Sequence, residues 1–349
     1  MRVVVTGASG NVGTSLLSAL AEDDEVTSVL GLARRVPAAR FAKVDWSAAD
    51  VTTADLLPFF RGADAVVHLA WLIQPSRDQR LTEKVNVAGS ERVFRAVAEA
   101  GVRRLVYASS VGAYSPGSKH RLVDESHPTE GVPTSFYSRH KAAVERMLDR
   151  FESDHPAMQV ARLRPALIFK GDAAAGIRRL FAGPLLPNAL VRRGLIAIVP
   201  AVRDLRFQAV HSLDAGEAYR LAIKSEAGGA FNLAAEPVLD SARLEQLLDA
   251  RRVRISPTLL RSATKWSWRL HLQPTPAGWL DMALQVPLMD SGRAREELGW
   301  APRFSSEEAL LELLDGLRDG RGLPTPPLHP TTGGRLRIRE FLTGVGARS

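Results

Sequence analysis

Short apolar runs alternate with amphipathic stretches of helical length from the first residue to about residue 171, which predicts an α/β fold with a doubly wound parallel sheet. A second observation sharpens this. The first run, Arg2-Val3-Val4-Val5, leads straight into glycines at Gly7, Gly10 and Gly13 and then into Ser15-Leu16-Leu17-Ser18-Ala19-Leu20, so strand, turn and helix follow without a gap. Beyond Gly171 the alternation gives way to irregular and helical segments carrying Trp266, Trp268 and Trp279, which predicts a smaller C-terminal substrate lobe interleaved with the sheet. The expected division is a sheet core over 1–171 with returning segments at about 205–235, a lobe over 172–204 and 236–320, and a Pro/Gly/Arg-rich tail over 321–349.

In chain order, the first strand is apolar on both faces, as a central parallel strand covered by helices requires. Three glycines after it let the backbone approach a pyrophosphate at the positive end of the following helix, which is the Rossmann arrangement for a dinucleotide. Asn11 can hydrogen-bond across the turn, and Ser9 and Val12 belong to the same loop. Glu25 to Leu32 reads as the second strand and ends on Arg34-Arg35. Phe41 to Trp46 reads as the third, where Asp45 is open to two readings: acceptor for an adenine amino group, or helix cap. Ala65 to Ala70 is the fourth strand, bringing Leu69 and Ala70 up to the cofactor, with His68 as a packed core histidine. A long helix is expected over Arg77 to Ala100, a fifth strand over Arg104 to Ser110, a helix opening at Tyr137, and a sixth strand over Gln159 to Pro165. Phe207 to His211 and Ala230 to Leu233 read as short strands returning to the core. Arg293 to Leu298 is a helix stopped by Gly299, Ser305 to Gly320 is one more amphipathic helix, and the tail from Arg321, with Arg335, Arg337 and Arg339, is expected to be mobile.

The net charge of +8 invites a polyanion partner, but only seven of the 46 basic residues are lysine and the 39 arginines are spread along the whole chain. That distribution describes a solvated basic surface, with no specific nucleic-acid site. The chain has no cysteine, which excludes disulfides, thiolate chemistry and cysteine-held metals and suits a reducing cytoplasm. No metal site and no secretory leader are expected, and no apolar run reaches the roughly 18 residues of a membrane span.

Tyr137 and Lys141 stand four apart at a helix start, so their side chains share one face. An ammonium beside a phenol stabilises phenolate and lowers a pKa that near 10 is too high for a base at neutral pH, so Tyr137 is a candidate proton donor or acceptor for a carbinol. The pair follows the Ser109-Ser110 strand end by one crossover, and ligands in such sheets sit at the carboxyl ends of strands.

These residues resemble the extended short-chain dehydrogenase/reductases, also called the NAD-dependent epimerase/dehydratase family. The matching stretches are Thr6 to Gly13, His68-Leu69-Ala70, Asn86 to Ser90, Ser109-Ser110 with Tyr114, Tyr137 to Lys141, Arg164-Pro165, Val210 to Asp214 and Arg295 to Trp300. The resemblance implies Tyr137 as general acid/base, Lys141 as holder of the nicotinamide ribose, Ser110 as partner of the reacting oxygen, with Ser109 able to share that role, and Asn86 in a supporting proton relay. It implies cofactor contacts from Gly7, Ser9, Gly10, Asn11, Val12, Gly13, Leu69, Ala70 and Pro165, and a homodimer paired through the helices after Leu81 and after Tyr137.

Departures from the family pattern bear on cofactor and substrate. NAD-specific members end the second strand with an acid, whereas Leu32-Ala33-Arg34-Arg35 has none, and arginine forks suit the 2′-phosphate of NADP, which is favoured over NAD. Sugar-nucleotide epimerases of the family place an arginine four residues before the histidine matching His211; Phe207 stands there, with Arg206 one step off. The tryptophan stretch from Trp266 to Leu280 could line an apolar pocket, touch a membrane surface or simply pack the lobe. The expected activity is an NAD(P)-dependent reductase or dehydrogenase of a small or hydrophobic substrate; the alternatives are a nucleotide-sugar epimerase or dehydratase, and a non-catalytic NADP-binding sensor or scaffold.

Overall fold

The computed structural model describes residues 1–183 and 196–331. Its strands are β1 (Arg2–Thr6), β2 (Ser28–Ala33), β3 (Val44–Ala48), β4 (Ala65–His68), β5 (Arg104–Ala108), β6 (Leu122–Val123), β7 (Gln159–Pro165), β8 (Leu167–Phe169), β9 (Ile198–Ala201), β10 (Ala209–His211), β11 (Gly229–Leu233), β12 (Arg251–Arg254) and β13 (Leu288–Met289). The helices are α1 (Asn11–Ala21), α2 (Leu57–Phe60), α3 (Gln79–Glu83), α4 (Gly89–Glu99), α5 (Phe136–Asp154), α6 (Ala174–Ile177), α7 (Ser212–Lys224), α8 (Ser241–Leu248), α9 (Pro257–Arg269), α10 (Ala277–Gln285), α11 (Gly292–Leu298) and α12 (Ser306–Asp319).

Seven strands form a parallel sheet in the order β11-β7-β5-β4-β1-β2-β3. The valines of β1 show why both faces are covered. Val3 and Val5 point into a cluster with Leu16, Leu17 and Leu20 of α1 and Tyr219 of α7, while Val4 points the other way, into Phe60, Val93, Phe94, Val97 and Leu148. Strand order reverses at β1, between β2 and β4, and the carboxyl ends of β1 and β4 therefore open a crevice there.

Several expectations shift. The second strand starts at Ser28 rather than Glu25, and the third runs to Ala48 rather than ending at Trp46. The helix expected over Arg77 to Ala100 is α3 and α4 joined by a π turn at Lys84–Ala88. Of the two returning strands only β11 joins the main sheet; β10 pairs with β8 in a separate parallel ladder. The lobe holds one more parallel ladder, β9 with β12, which the run Arg251-Arg252-Val253-Arg254 disguises because it has no polar/apolar alternation. Residues 321–331 are docked rather than mobile: Leu328 and Thr325 are buried, and Arg179 donates to the Pro327 carbonyl at 2.8 Å. Arg335, Arg337 and Arg339 lie outside the described residues.

Helices α1 and α7 cross where Gly216 has no side chain; a Cβ there would sit 2.7 Å from the Ser15 carbonyl carbon and 2.8 Å from the Leu16 nitrogen, both backbone. Gly216→Val is therefore expected to destabilise the chain by roughly 1–3 kcal/mol or more through forced separation of the two helices. Urea unfolding measures it, and an unchanged midpoint would refute the tight crossing.

Candidate active site

The loop after β1 uses its glycines differently. Gly7 has φ +71°, and a Cβ on it would lie 2.6 Å from the Ala70 nitrogen, so the chain leaving β4 through Leu69 and Ala70 crosses directly over it. A Cβ on Gly13 would lie 2.4 Å from the Ala8 carbonyl oxygen, which lets α1 close onto the loop. Gly10 differs, because its only neighbour on that side is the Gly7 carbonyl oxygen at 3.4 Å. Its open face adjoins the start of α1, which no side chain caps, and the buried Asn11 Oδ1 has no partner. An uncapped helix start, an open glycine and an orphaned amide oxygen fit a dinucleotide pyrophosphate. Ser9 is buried in this loop and Val12 half-buried beside it.

Arg34 and Arg35 are exposed immediately after β2, whose Leu32 carbonyl accepts from the Gly7 nitrogen at 2.9 Å, so they stand beside the glycine loop. Asp45 does not reach the crevice. It is the second residue of β3, paired with Leu30, three residues short of the carboxyl end. The acid that follows the strand end is Asp50, whose Oδ1 takes the Thr52 nitrogen at 2.9 Å and the Thr52 hydroxyl at 2.7 Å. Placing the strand end two residues early hid it. Pro165 closes β7 at the same edge of the sheet, opposite Leu233.

Ser110, Tyr137 and Lys141 are brought together by the end of β5 and the start of α5. Ser135 caps α5, and the Ser138 hydroxyl donates to the Gly112 carbonyl, stitching the helix start to the short turn that Ser110 opens. The Tyr137 ring lies against Gly112, where a Cβ would come within 2.9 Å of its Cε1. Burial pushes the Tyr137 phenol up to about 12, with the neighbouring Ser110 hydroxyl acting in the opposite sense. The lowered phenol pKa expected from Tyr137 and Lys141 is thus not a property of the chain alone. Lys141 is itself pushed well below its usual range by burial, against the pull of Glu145. Its ammonium donates to the Ala108 carbonyl and lies 3.5 Å from the centre of the Trp71 ring, against 5.8 Å from that of Tyr137.

Two supporting residues act elsewhere. The Asn86 carboxamide accepts from the Leu72 nitrogen at 2.7 Å and donates to the Leu72 carbonyl at 2.8 Å, so it clamps the loop carrying Trp71 and makes no bond to Ser110, Tyr137 or Lys141. Ser109 faces away from Tyr137 and donates to Glu145. Glu145 escaped the sequence reading, although it stands four residues after Lys141. It is completely buried between Arg164, at 2.9 and 3.0 Å, and Arg162, at 3.0 Å. Burial raises its pKa, but the Arg164 and Arg162 guanidiniums outweigh that and hold it down at about 2. His68 is the core histidine expected, bonded to Thr6 at 2.7 Å and Ser90 at 2.9 Å.

Apolar walls face the phenol. Trp279 of α10 lies 4.7 Å from Tyr137 between ring centres, with Phe181 5.0 Å beyond it, and Trp71 meets Tyr137 edge-on at 5.9 Å. Trp268 instead lies under Arg77, and Trp266 faces solvent. Arg206 donates to the Lys119 carbonyl at 2.8 Å, and Phe207 pairs with Leu239.

Fold and site together define a dinucleotide-binding α/β chain with a Ser-Tyr-Lys group at the carboxyl edge of its sheet. The profile of the NAD dependent epimerase/dehydratase family matches residues 3–234, and the chain belongs to that family. It is 29% identical over 326 residues to an uncharacterized protein of Mycobacterium tuberculosis (strain ATCC 25618 / H37Rv), covering 93% of this chain but spanning only 31% of that relative's length. A 4-hydroxy-2-methyl-3-oxo-4-farnesyl-3,4-dihydroquinoline-1-oxide ketoreductase of Stigmatella aurantiaca is 27% identical over 92% of this chain and 98% of its own. A 3 beta-hydroxysteroid dehydrogenase/Delta 5-->4-isomerase of the same M. tuberculosis strain is 27% identical over 90% of this chain and 89% of its own. Among solved structures, the UDP-glucose 4-epimerase of Thermotoga maritima superposes with a TM-score of 0.69 at 18% identity, over 91% of this chain and 99% of that one, which shows a common fold.

Glu145→Ala leaves the buried Arg164 guanidinium without its carboxylate, while Arg162 keeps Asp149 and Glu152, and is expected to cost about 3–5 kcal/mol in urea unfolding; a loss below about 1 kcal/mol would show that Arg164 finds another partner. A second expectation concerns pH. Burial lowers the pKa of His68 to about 3 and, helped by Arg139, of His140 to about 4. Both imidazoles are neutral when folded and titrate near 6.5 when unfolded, so their contribution is complete above that pH and is lost as pH falls toward 4 and 3. Unfolding free energy should drop between pH 6.5 and 5 by roughly 1.4 kcal/mol per pH unit for each imidazole, and a flat profile there would overturn the assignment.

Proposed function

We propose that this chain is an NAD(P)-dependent reductase or dehydrogenase acting at a carbonyl or carbinol carbon of an apolar substrate. The observation that carries the reading is the Tyr137 ring, packed against Gly112 of the turn that Ser110 opens and flanked by Trp71 and Trp279, with Phe181 against Trp279. A bound nicotinamide dinucleotide supplies or accepts the hydride. Ser110 holds the substrate oxygen, and Tyr137, still protonated at neutral pH because its pKa is near 12, delivers its proton to the alkoxide that develops during reduction. Lys141 holds the nicotinamide ribose, Gly10, Asn11, Val12 and Gly13 receive the pyrophosphate, and Asp50 takes the adenine contact first assigned to Asp45. Arg34 and Arg35 favour NADP, their forks matching a 2′-phosphate.

Two observations weigh against a sugar-nucleotide substrate. Phe207 stands where such epimerases carry an arginine and is engaged with Leu239, while Arg206 is spent on the Lys119 carbonyl. The two relatives named for an activity, the ketoreductase and the hydroxysteroid dehydrogenase, are named for apolar substrates. A homodimer paired through α4 and α5, in a reducing cytoplasm, completes the proposal.

The test is consumption of NADPH and NADH by purified protein with a panel of apolar ketones, alongside UDP-glucose with NAD. Ketone-dependent oxidation of NADPH is expected. Tyr137→Phe should lower it by about 10²- to 10⁴-fold while NADPH still binds, and Arg34→Ala with Arg35→Ala should cut the preference for NADPH over NADH by roughly tenfold or more. Epimerisation of UDP-glucose without ketone reduction would overturn the reading.

A further inference from the structure

Of the ten large apolar side chains left exposed among the described residues, six belong to the lobe: Ile198, Val253, Leu259, Trp266, Leu270 and Leu272. Four of them belong to α9 and the turn after it: Leu259 is 65% exposed, Trp266 58%, Leu270 64% and Leu272 45%. Leu259, Ala263, Trp266 and Leu270 follow a 4-3-4 spacing, which on a helix of 3.6 residues per turn forms one stripe, and all four are exposed. No residue of α9 is buried. An amphipathic helix ordinarily turns such a stripe toward the core; here it faces outward.

The opposite face is what the protein holds. Trp268 donates its indole N–H to the Ser76 hydroxyl at 3.2 Å, Arg77 stacks over its ring at 4.3 Å, and Arg261 grips Asp281 of α10 at 2.7 and 3.0 Å. The stripe is therefore presented by a helix anchored from behind.

Charge identifies what it meets. From Ala250 to Leu280 the chain carries six Arg or Lys residues and no Asp or Glu. Arg252 pairs with Glu245 and Arg261 with Asp281. Arg251, Arg254, Lys265 and Arg269 have no carboxylate partner among the described residues. Leucine and tryptophan on one face, with unneutralised cations around it, is the composition of a helix lying in the headgroup layer of an anionic membrane.

We propose that α9 docks the protein on an anionic lipid surface, with Leu259, Trp266 and Leu270 entering the acyl boundary and Lys265 and Arg269 meeting lipid phosphates. The helix lies on the surface without crossing it, since no helix among the described residues is long and apolar enough to span a bilayer. α9 packs on α10, and α10 carries Trp279 against Tyr137, so the lipid face and the phenol lie on opposite sides of one helix pair. A membrane-dissolved substrate would then reach the site by a short path, a consequence that rests on the proposed activity, whereas the docking itself does not.

Flotation of the full chain with vesicles tests this in the absence of substrate and cofactor, so it can fail or succeed independently of the ketone assay. The expected result is co-flotation with phosphatidylglycerol/phosphatidylcholine vesicles, little with phosphatidylcholine alone, and release by salt. The double variant Lys265→Glu/Arg269→Glu should lower partitioning by about fivefold or more for each reversed charge. Leu259→Ser/Leu270→Ser should lower it too, and both variants should keep the wild-type melting temperature and NADPH binding because the altered side chains are exposed. The proposal is overturned by absence of binding to both vesicle types, or by equal binding to both. It is likewise overturned if the stripe variants convert a dimer to a monomer in sedimentation while vesicles bind neither form, which would assign the face to a second copy of the chain.

Discussion

The placement of Ser110, Tyr137 and Lys141 rests on one buried carboxylate, Glu145. Tyr137, Lys141 and Glu145 lie along one face of α5 at successive fours, and Glu145 alone has no exposure at all. A carboxylate can be held ionised in a dry interior only where guanidiniums and hydroxyls saturate its oxygens. Arg164, Arg162 and Ser109 do so, the first two from β7 and the third from the end of β5. Because bidentate and charge-assisted bonds tolerate little displacement, the acid fixes α5 both along and around its axis relative to two strands. Ser109 precedes Ser110, so the bond that anchors the helix also sets the hydroxyl meeting the Tyr137 phenol. Arg162 extends the same network outward to Asp149 and Glu152, two further residues of α5.

Much of this fold was legible from residue order because parallel strands buried on both faces have few sequence solutions. The triple valine of β1, the glycine spacing and the strand Gln159–Pro165 appear where the pattern puts them. Strand ends were less legible, and Asp45 shows the cost: β3 is an edge strand with two of its five residues exposed and none buried, so apolar pattern does not mark where it stops, and the acid two residues after Ala48 went unnoticed. The lobe was the least legible part. β9 and β12 pair through backbone groups while every side chain of β12 faces solvent and only Val199 of β9 is buried, leaving no periodicity to read.

At the candidate site, motif spacing correctly brought Ser110 and Tyr137 together and placed Lys141 near them. Spacing could not supply the dielectric. The expectation of a lowered phenol pKa came from treating Lys141 as a solvated charge beside Tyr137, whereas Trp71 occupies the ammonium's near side, Lys141 and Ser110 are buried and Tyr137 is half-buried. Asn86 likewise matches a motif position but is consumed by both main-chain groups of Leu72, a contact that no one-dimensional pattern contains. Trp71 and Trp279 were readable as apolar but not as neighbours, since 208 residues separate two rings that both touch Tyr137.

The dryness carries a consequence for the direction of chemistry. Desolvation raises the Tyr137 pKa and lowers that of Lys141, so it penalises phenolate and ammonium alike and favours the neutral phenol in the resting chain. A neutral phenol is a donor. On the proposed activity, the same buried surroundings that favour the neutral phenol would suit an apolar carbonyl better than a hydrated sugar. Under that proposal, substrate polarity and proton availability would both follow from the desolvation around Tyr137.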